Sequence, residues 1–212
     1  MRTLAVLPVK RFEIAKSRLH EELEALRRER LAEAMVSDVL ATLRSCAELA
    51  AVVLVTNEPA VAASAAAHGA TVLADPNEAG QSAAALVGIA HALDGGYARA
   101  LLVPGDCPAL DAEELAMLLR TAPAAPSVTI VSDRHGSGTN ALLLAPPDAI
   151  EPSFGPGSFA RHRDAALAAG AGWHVADPPG LLLDIDTPED LAVLRAGTTA
   201  GPRTRAVLAE LD

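Results

Sequence analysis

The stretch Leu4-Ala5-Val6-Leu7-Pro8-Val9-Lys10 opens this chain and decides how the rest of it can fold. A short apolar run of this kind predicts a buried strand, and Pro8 ends it because proline lacks the backbone donor that a central strand needs. Strand-like and helix-like runs then alternate along most of the sequence. This alternation predicts an α/β fold with a mostly parallel sheet and helices on both faces.

The later elements are predicted from apolar periodicity and from turn residues. The predicted strands cover 51–56, 70–73, 98–103, 127–132, 140–145, 173–176 and 181–185. The predicted helices cover 26–44, 60–68, 82–93 and a stretch from about 158 to 169. Two more are predicted from their starts. Asp111 caps one of them, with Glu114 completing a capping box, and the other begins at Thr187. We expect one domain over 1–196 and a loosely held tail over 197–212.

Composition narrows the class of protein. The 212 residues carry 17 basic and 27 acidic side chains, and only 2% are aromatic, which disfavours nucleic-acid binding. Two cysteines are too few for a disulfide framework or a zinc site. The first apolar run is too short for a signal peptide, and no apolar stretch reaches membrane-spanning length, so we expect a cytoplasmic protein without a membrane partner.

A basic loop follows the first strand, with Lys10, Arg11, Lys16 and Arg18 close together in a chain whose net charge is -10. It is either a solvated surface loop or a clamp for a polyphosphate. The second interpretation follows from position, because strand ends in open α/β sheets face the ligand crevice.

Three aspartates are candidate metal ligands. Asp106 directly follows the apolar strand 98–103, where a Mg²⁺ ion could reach it, although a turn-capping role would also suit the sequence. Asp184 and Asp186 are predicted to point to the same face of a strand, which is unfavourable unless a cation lies near them. Asp186 could instead extend the cap of the helix at Thr187. We favour a Mg²⁺ ion shared by Asp106 and Asp186.

A second anion site is predicted further along the chain. Thr139, Asn140 and Arg134 offer hydroxyl, amide and guanidinium donors. Residues 155–158, from Gly155 to Ser158, offer backbone N–H groups at a helix N-terminus. Together they suit a small phosphorylated carboxylate. The six histidines have no metal-ligand spacing and are interpreted as surface or satisfied residues.

Five segments together resemble one family. They are Pro8-Val9-Lys10 with Ala15-Lys16-Ser17-Arg18-Leu19, Pro104-Gly105-Asp106-Cys107-Pro108, Asp133-Arg134-His135-Gly136-Ser137-Gly138-Thr139-Asn140-Ala141-Leu142, Phe154-Gly155 with Ser158, and Leu183-Asp184-Ile185-Asp186-Thr187-Pro188-Glu189-Asp190-Leu191. In this order they resemble the 2-phospho-L-lactate / phosphoenolpyruvate guanylyltransferase family of coenzyme F-420 biosynthesis, over residues 1 to about 195.

The resemblance implies a MobA-like nucleotidyltransferase fold, which is a three-layer α/β/α sandwich. It implies transfer of GMP from GTP to phosphoenolpyruvate, or alternatively to 2-phospho-L-lactate, with contacts to the acid from Thr139, Gly155 and Ser158. Pro8 and the loop with Gly80 and Ser82 are implied to face the nucleotide. Family members usually carry Gly-Leu-Asn in that loop, whereas this chain has Gly80-Gln81-Ser82.

The implied chemistry agrees with the residues. The attacking phosphate is already ionised, so we expect Mg²⁺ on the aspartates to polarise the α-phosphate while Lys10, Lys16 and Arg18 stabilise the departing pyrophosphate. Asp75 is a candidate to accept the two donors on the pairing edge of guanine. Implied partners are GTP, the acceptor acid and the next enzyme of the pathway, and a homodimer is left open.

Sequence features weigh against three rival functions, which pyrophosphate release with GTP and phosphoenolpyruvate would separate. A molybdopterin guanylyltransferase typically has a glycine-rich first loop, and this loop has no glycine. A nucleotide-sugar glycosyltransferase usually places an Asp-x-Asp pair after a central strand, where this chain has Asp106 alone. A non-catalytic nucleotide-binding regulator would tolerate the loss of Asp106 or Lys16, and both are present.

Overall fold

The computed structural model of this chain describes residues 1–14, 16–20, 22–67, 69–197 and 199–211. Some predictions fall on other positions. Ala15 of the basic loop, His68 at the end of the second predicted helix, and Thr198 and Asp212 of the predicted tail lie outside the described residues.

Seven strands of the described residues form a single sheet. They are β1 (Thr3–Pro8), β2 (Ala51–Val55), β3 (Thr71–Leu73), β4 (Arg99–Leu102), β5 (Ser127–Ser132), β6 (Thr139–Ala145) and β7 (Gly172–Val175). Their order across the sheet is β3-β2-β1-β4-β6-β5-β7, so the opening stretch of the sequence lies between β2 and β4.

The sheet is mostly parallel, as the alternating pattern predicts. β6 is the exception, because it runs antiparallel to both β4 and β5. β5 and β6 are joined by the short polar connection 133–138, which is long enough for a hairpin and too short for a crossover helix. The edge strand β7 pairs in parallel with β5.

Helices cover both faces of the sheet. They are α1 (Ala25–Ser45), α2 (Pro59–Ala67), α3 (Gln81–Asp94), α4 (Ala112–Thr121), α5 (Ser158–Ala168), α6 (Pro188–Ala196) and α7 (Pro202–Ala209). Side chains of β1 alternate between the two cores: Ala5 and Leu7 pack with α1, α2 and α4, and Leu4 and Val6 pack with α3 and α5. The predicted three-layer α/β/α sandwich is confirmed. None of the described helices combines the length and the hydropathy that a bilayer crossing requires.

The predicted strand over 181–185 is wrong. A short 3-10 turn at Pro179–Leu181 is followed by a segment without regular secondary structure, which joins no sheet. One backbone bond, from Ile185 N to the Asp106 carbonyl at 3.1 Å, connects this segment to the loop after β4. Ile185 is fully buried in a third small core between α1, α6 and α7. The apolar residues of the segment therefore reach a core without strand pairing.

The residues predicted as a loosely held tail include a packed helix, α7. Asp38 on α1 accepts from the first turn of α7, from Arg203 N at 3.1 Å and from Thr204 N at 2.8 Å. Thr204 and Leu208 are buried against α1. The prediction failed because the partner that holds this helix lies more than 160 residues earlier in the chain.

Two predicted helix starts can be compared with their caps. Asp111 caps α4 as predicted, but Glu114 does not complete the capping box, because its Oε2 accepts from Gly180 N at 2.7 Å. Thr187 and Asp190 form a full capping box at α6. Asp190 also accepts a hydrogen bond from the backbone N–H of Asp186. The side chain of Asp186 takes no part in this capping box.

Candidate active site

A pocket of about 550 Å³ opens at the carboxyl ends of β1 and β4. Most of its lining comes from parts of the chain that are distant in sequence: the basic loop, one side of α1, the loop 75–80 before α3, the turn 104–106 after β4, and Asp186. Eight of the predicted site residues are among its lining, namely Pro8, Lys10, Lys16, Arg18, Asp75, Gly80, Asp106 and Asp186. The fold therefore brings the predicted phosphate clamp and two predicted metal ligands to one place.

Lys16 lies between the two carboxylates. Its Nζ donates to Asp106 Oδ2 at 2.6 Å and to Asp186 Oδ1 at 3.0 Å, and its side chain is only 7% exposed. Burial alone would lower the pKa of Lys16, but the charges of Asp106 and Asp186 outweigh it and raise that pKa. The ammonium therefore carries its charge and separates two acids that would otherwise repel each other.

The backbone at Lys16 is unusual for a residue with a side chain. Its φ is +54°, in the left-handed region that favours glycine. Two short 3-10 turns, Phe12–Ile14 and Ser17–Leu19, flank it, and its carbonyl accepts from Leu19 N at 2.9 Å. Such conformations persist where the surroundings hold them and occur often at functional sites. Here the double ion pair holds the side chain inward.

Asp106 and Asp186 suit a divalent cation. Asp106 Oδ1 is buried and has no hydrogen-bond partner among the described residues, which is uncommon for a carboxylate oxygen unless a ligand completes it. Carboxylate oxygens are the preferred ligands of Mg²⁺. The described residues hold no group of three His, Cys, Asp or Glu side chains arranged around a common metal position. The site therefore offers a pair of carboxylates rather than a complete cage.

Asp184 is turned away from that pair toward β6. Its Oδ1 accepts from Asn140 Nδ2 at 3.3 Å. Burial, and then the charges of Asp106 and Asp186, raise the pKa of Asp184 to about 6. The predicted third metal ligand thus lies beside the site as part of its negative field. The expectation that Asp184 and Asp186 share one face of a strand is wrong, because the segment is not a strand.

An ion pair closes one wall of the pocket. Arg11 donates to both oxygens of Glu78, and Arg11 Nη2 lies 2.8 Å from Glu78 Oε1. Asn57 donates to the same Glu78 oxygen at 2.9 Å and to the Asp75 carbonyl at 2.6 Å. Because the arginine belongs to the basic loop and the glutamate to the loop before α3, this contact links the two sides of the pocket. Sequence reasoning did not assign Glu78 or Asn57.

The loop predicted to face the nucleotide reaches the pocket with Asp75 and Gly80. Asp75 is 9% exposed, and its Oδ1 accepts from Glu78 N at 3.0 Å. Gly80 precedes α3 with a φ of +100°, which a side chain would not tolerate well. Ser82 is directed away from the pocket: its Oγ accepts from Phe154 N at 2.9 Å. Ser82 therefore joins α3 to the glycine-rich loop 153–157.

Thr139 lies in a second polar cluster at the start of β6. Its Oγ1 is 3.0 Å from His162 Nδ1, and His162 Nε2 accepts from Ser153 N at 2.8 Å. His162 is fully buried, and its ring meets Phe154 edge-on with centroids 5.3 Å apart. Burial, and then the Arg161 charge, lower the pKa of His162 to about 4, so the ring is neutral at physiological pH.

The glycine-rich loop 153–157 is anchored from beneath by Arg161. The guanidinium donates to the carbonyl oxygens of residues 153–156, at distances from 2.5 to 3.4 Å. Gly155 and Gly157 both have positive φ, and Ser158 begins α5 with its side chain buried. Ser153 N and Phe154 N already donate inside the protein, and Pro156 has no N–H. Gly155 and Gly157 therefore supply the N–H groups that this loop can offer to an anion.

Two predicted substrate donors are engaged inside the protein. Arg134 pairs with Asp190 at 2.8 Å and with Glu189 at 3.4 Å, so it is anchored to α6. Asn140 is 5% exposed and donates to the Leu181 carbonyl at 2.8 Å as well as to Asp184. The structure thus gives these two side chains positioning contacts, whereas sequence proximity to Thr139 had suggested direct donors.

His162 is another site residue that the sequence did not reveal, since the histidines were interpreted as surface or satisfied residues. The spacing of the buried residues along α5 is the sequence signal that could have identified it. Residues Ser158, His162 and Ala166 are four apart on α5 and form its buried face. A polar residue on such a face requires a partner, and this one lies next to a predicted substrate residue.

The sequence of this chain matches a known family over nearly its whole length. A family model described as "Guanylyl transferase CofC like" matches residues 3–206. The chain is 48% identical to a phosphoenolpyruvate guanylyltransferase of Conexibacter woesei, over 92% of this chain and 88% of the relative. It is 39% identical to a phosphoenolpyruvate guanylyltransferase of Sphaerobacter thermophilus, over 95% of this chain and 96% of the relative.

A crystal structure from Desulfovibrio desulfuricans G20 has the same fold. Its protein is provisionally assigned as a nucleotide-diphospho-sugar transferase, and the superposition gives a TM-score of 0.78. The match covers 99% of this chain and 95% of the other, at 19% sequence identity.

Proposed function

Because the chain belongs to the CofC-like guanylyl transferase family and is a nucleotidyltransferase, we propose that it transfers GMP from GTP to phosphoenolpyruvate. The products are enolpyruvyl-diphosphoguanosine and pyrophosphate, and the pathway is coenzyme F-420 biosynthesis. Curated relatives that share 48% and 39% of their aligned residues with this chain carry phosphoenolpyruvate in their names, which favours it over 2-phospho-L-lactate.

One observation carries this proposal. Lys16 reaches Asp106 and Asp186 at the floor of a pocket whose rim also holds Lys10 and Arg18. Cations and paired carboxylates at the carboxyl ends of parallel strands suit a nucleoside triphosphate with its divalent ion.

The reaction is an in-line substitution at phosphorus. A phosphate oxygen of the acceptor forms a bond to the α-phosphorus of GTP, and the bond from that phosphorus to the bridging β-phosphate oxygen breaks. The electron pair leaves with pyrophosphate, which Lys10, Lys16 and Arg18 stabilise. No protein base is required, because a phosphate monoester is largely ionised at neutral pH. The protein contributes orientation and charge.

Asp106 and Asp186 are the residues that would hold Mg²⁺, and the unpartnered Asp106 Oδ1 supports this assignment. When bound, the ion supplies charge neutralisation at the phosphates. Lys16 must then share the carboxylates with the metal or turn to the triphosphate. Its four-carbon stem allows either.

The acceptor acid would bind at the cluster formed by Thr139, Gly155 and Ser158. The bond from Phe154 N to Ser82 Oγ ties the glycine-rich loop to α3, which begins at the nucleotide loop. The acceptor and the nucleotide would thus be held by loops that are fastened to each other. Such coupling favours a fixed approach of the attacking oxygen.

Asp75 is our candidate for guanine recognition. It lies at the pocket wall, and a carboxylate can accept both donors on the pairing edge of guanine. Replacing Asp75 by Ala should reduce the preference for GTP over ATP. An unchanged preference in competition assays would remove Asp75 from this role.

Partners beyond the substrates follow from the product. A reactive enol-linked diphosphate is best passed to the next enzyme of the pathway, which we propose as a functional partner. A homodimer and a cytoplasmic location stay predictions.

The deciding experiment is a product assay with purified protein, Mg²⁺ and GTP. Phosphoenolpyruvate or 2-phospho-L-lactate is added, pyrophosphate release is followed, and the next enzyme of the pathway traps the product. We expect release with phosphoenolpyruvate and little with ATP or CTP in place of GTP. Absence of release with both acids would contradict the proposed function.

Asp106→Asn tests the metal role. The side chain keeps its size but loses its charge, so turnover should fall by at least about 100-fold while the circular dichroism spectrum is unchanged. Glu22→Gln, at an exposed acid outside the pocket lining, is the matched control. Near-normal Mg²⁺-dependent activity in Asp106→Asn would show that Asp106 is not a ligand.

A further inference from the structure

The buried histidine of α5 has polar partners at both ring nitrogens. His162 Nδ1 lies 3.0 Å from Thr139 Oγ1, and His162 Nε2 lies 2.8 Å from Ser153 N. The ring is fully buried. Burial, and then the Arg161 charge, lower its pKa to about 4, so it is neutral at physiological pH. A neutral imidazole has one nitrogen that donates and one that accepts.

The Ser153 contact determines which nitrogen donates. A backbone N–H can only donate, so Nε2 must be the accepting nitrogen. The ring proton therefore resides on Nδ1, from which it is donated to Thr139 Oγ1. Since its oxygen already accepts from His162, the Thr139 hydroxyl is free to donate its own proton elsewhere. The opposite tautomer would place two donors against each other at Ser153.

The direction of this hydroxyl proton matters for an anionic substrate. Phosphate and carboxylate oxygens only accept hydrogen bonds at neutral pH, so a useful threonine must present its proton. A hydroxyl that donated to the histidine would present lone pairs to the anion. The first orientation therefore gives an attractive contact with the anion, and the second gives a repulsive one. Thr139 is only 8% exposed, and in such a low-dielectric environment the difference between the two is larger than in water.

We infer that His162 is a positioning residue that fixes the Thr139 hydroxyl as a hydrogen-bond donor to the acceptor acid. The inference rests on the proposed function, because it assumes that Thr139 contacts that acid. It adds a residue that touches neither substrate and acts through another side chain. The chemical class of ligand it selects is a phosphorylated carboxylate, whose oxygens accept and do not donate.

The same histidine also holds the glycine-rich loop in register with β6. Its Nε2 fixes Ser153, the first residue of that loop, while Arg161 on the neighbouring position of α5 binds the loop carbonyls from below. Both contacts come from one turn of α5. A shift of this helix would therefore move Thr139 and the loop together.

A purely structural role for His162 makes a different prediction. If the ring only filled the core beside Phe154, its replacement would lower stability and disturb both substrates alike. A positioning role through Thr139 predicts a selective effect on the acceptor. It also predicts that the effect disappears when the Thr139 hydroxyl is absent.

His162→Gln and His162→Asn separate the two nitrogens. The longer Gln amide can still accept from Ser153 N near the Nε2 position but loses the donor to Thr139, whereas the Asn amide keeps a donor near Nδ1. In steady-state assays, His162→Gln should raise KM for phosphoenolpyruvate about tenfold, the loss of one hydrogen bond, with KM for GTP within about twofold. His162→Asn should recover most of that loss. His91→Gln, the same exchange at a partly exposed histidine of α3, is the control.

A double-mutant cycle with Thr139→Val gives the decisive comparison. In that background His162→Gln should cause no further rise in KM for the acceptor, because the hydroxyl it would orient is gone. An equal rise in both backgrounds, or equal rises in KM for both substrates, overturns the inference. Urea unfolding of each variant identifies any that fail to fold.

A nitrogen-15 NMR measurement of the histidine ring tests the inference without turnover. A proton on Nδ1 of His162 in wild-type protein is expected, and a proton on Nε2 overturns the inference. The proposed function fails separately, in the wild-type product assay, if neither acid is used. An active wild type with an Nε2 proton would refute only the role of His162.

Discussion

Lys16 combines two properties that rarely occur together, a left-handed backbone and a buried charge shared by two acids. From the sequence it is one of four cations in a loop. In the structure Lys10 and Arg18 are exposed at the pocket, while Lys16 is directed inward. The residue types were sufficient to predict a clamp, but not to predict which cation would hold the carboxylates.

We predict that Lys16→Met makes the protein dependent on Mg²⁺ for stability. Without the ammonium, Asp106 and Asp186 face each other unpaired, and the free energy of unfolding should fall by about 1–3 kcal/mol in EDTA. Mg²⁺ should restore more stability to this variant than to wild type. Urea unfolding with and without Mg²⁺ measures both effects. Lys10→Met, at an exposed cation of the same pocket, is the control and should have the stability of wild type. A Lys16→Met protein of normal stability in EDTA would contradict the role given to this double ion pair.

His162 gives a second prediction, on the pH dependence of stability. Its pKa is about 4 when folded, compared with an ordinary value of 6.5. Between these values the unfolded chain takes up a proton that the folded protein refuses, so unfolding is favoured as pH falls. The contribution of His162 is complete above pH 6.5 and is lost as the pH approaches 4. Urea unfolding between pH 7 and pH 5 should show a shallower slope in His162→Gln, whereas the exposed His174→Gln should keep the wild-type slope.

At the scale of elements, the regular strands and helices follow local patterns, and the exceptions follow distant contacts. Thr187 caps α6 as predicted, and Asp190, three residues further on, completes a capping box. The segment 181–185 has the composition of a strand but is held by Asp106, Asn140 and a separate core. Apolar alternation cannot distinguish a strand from an extended segment that packs without pairing.

The α7 helix depends on one side chain of α1. We predict that Asp38→Asn lowers the free energy of unfolding by about 1–3 kcal/mol, since the amide NH2 group would then face one of the two backbone donors. Hydrogen exchange at α7 amides should rise more than in the sheet. Glu33→Gln, at an exposed acid on the same helix, should change stability by less than about 0.5 kcal/mol. Unchanged exchange at α7 would mean that apolar packing alone holds it.

At the scale of the whole molecule, a chain with a net charge of -10 brings four cations together in the pocket where we propose that polyphosphate binds, namely Lys10, Arg11, Lys16 and Arg18. The same pocket also holds four acids: Glu78 pairs with Arg11, Asp106 and Asp186 pair with Lys16, and Asp75 lies at the wall. The cations therefore offset the negative charge of the chain at this place, and a divalent ion on the carboxylates would add the further positive charge that a polyphosphate needs.

Binding should therefore stabilise the entire fold. GTP with Mg²⁺ at about 100 times its Kd should add about 2.7 kcal/mol of stability, which corresponds to about 5–10 °C in Tm for a protein of this size. Differential scanning fluorimetry measures the shift, with ATP and CTP as controls. Equal shifts from all three nucleotides would show that only the triphosphate is recognised and would contradict a guanine-specific site.

The sequence by itself determined most of the strand and helix pattern, the basic loop, the position of Asp106 after its strand and the cap of α6, because each depends on residues within a few positions of one another. Only the tertiary structure decided that Lys16 would meet Asp106 and Asp186, which lie 90 and 170 residues away. It likewise decided that Asp38 would hold α7 and that His162 would reach Thr139. These contacts depend on how the sheet and its helices pack, since packing brings together side chains whose positions in the sequence carry no information about each other.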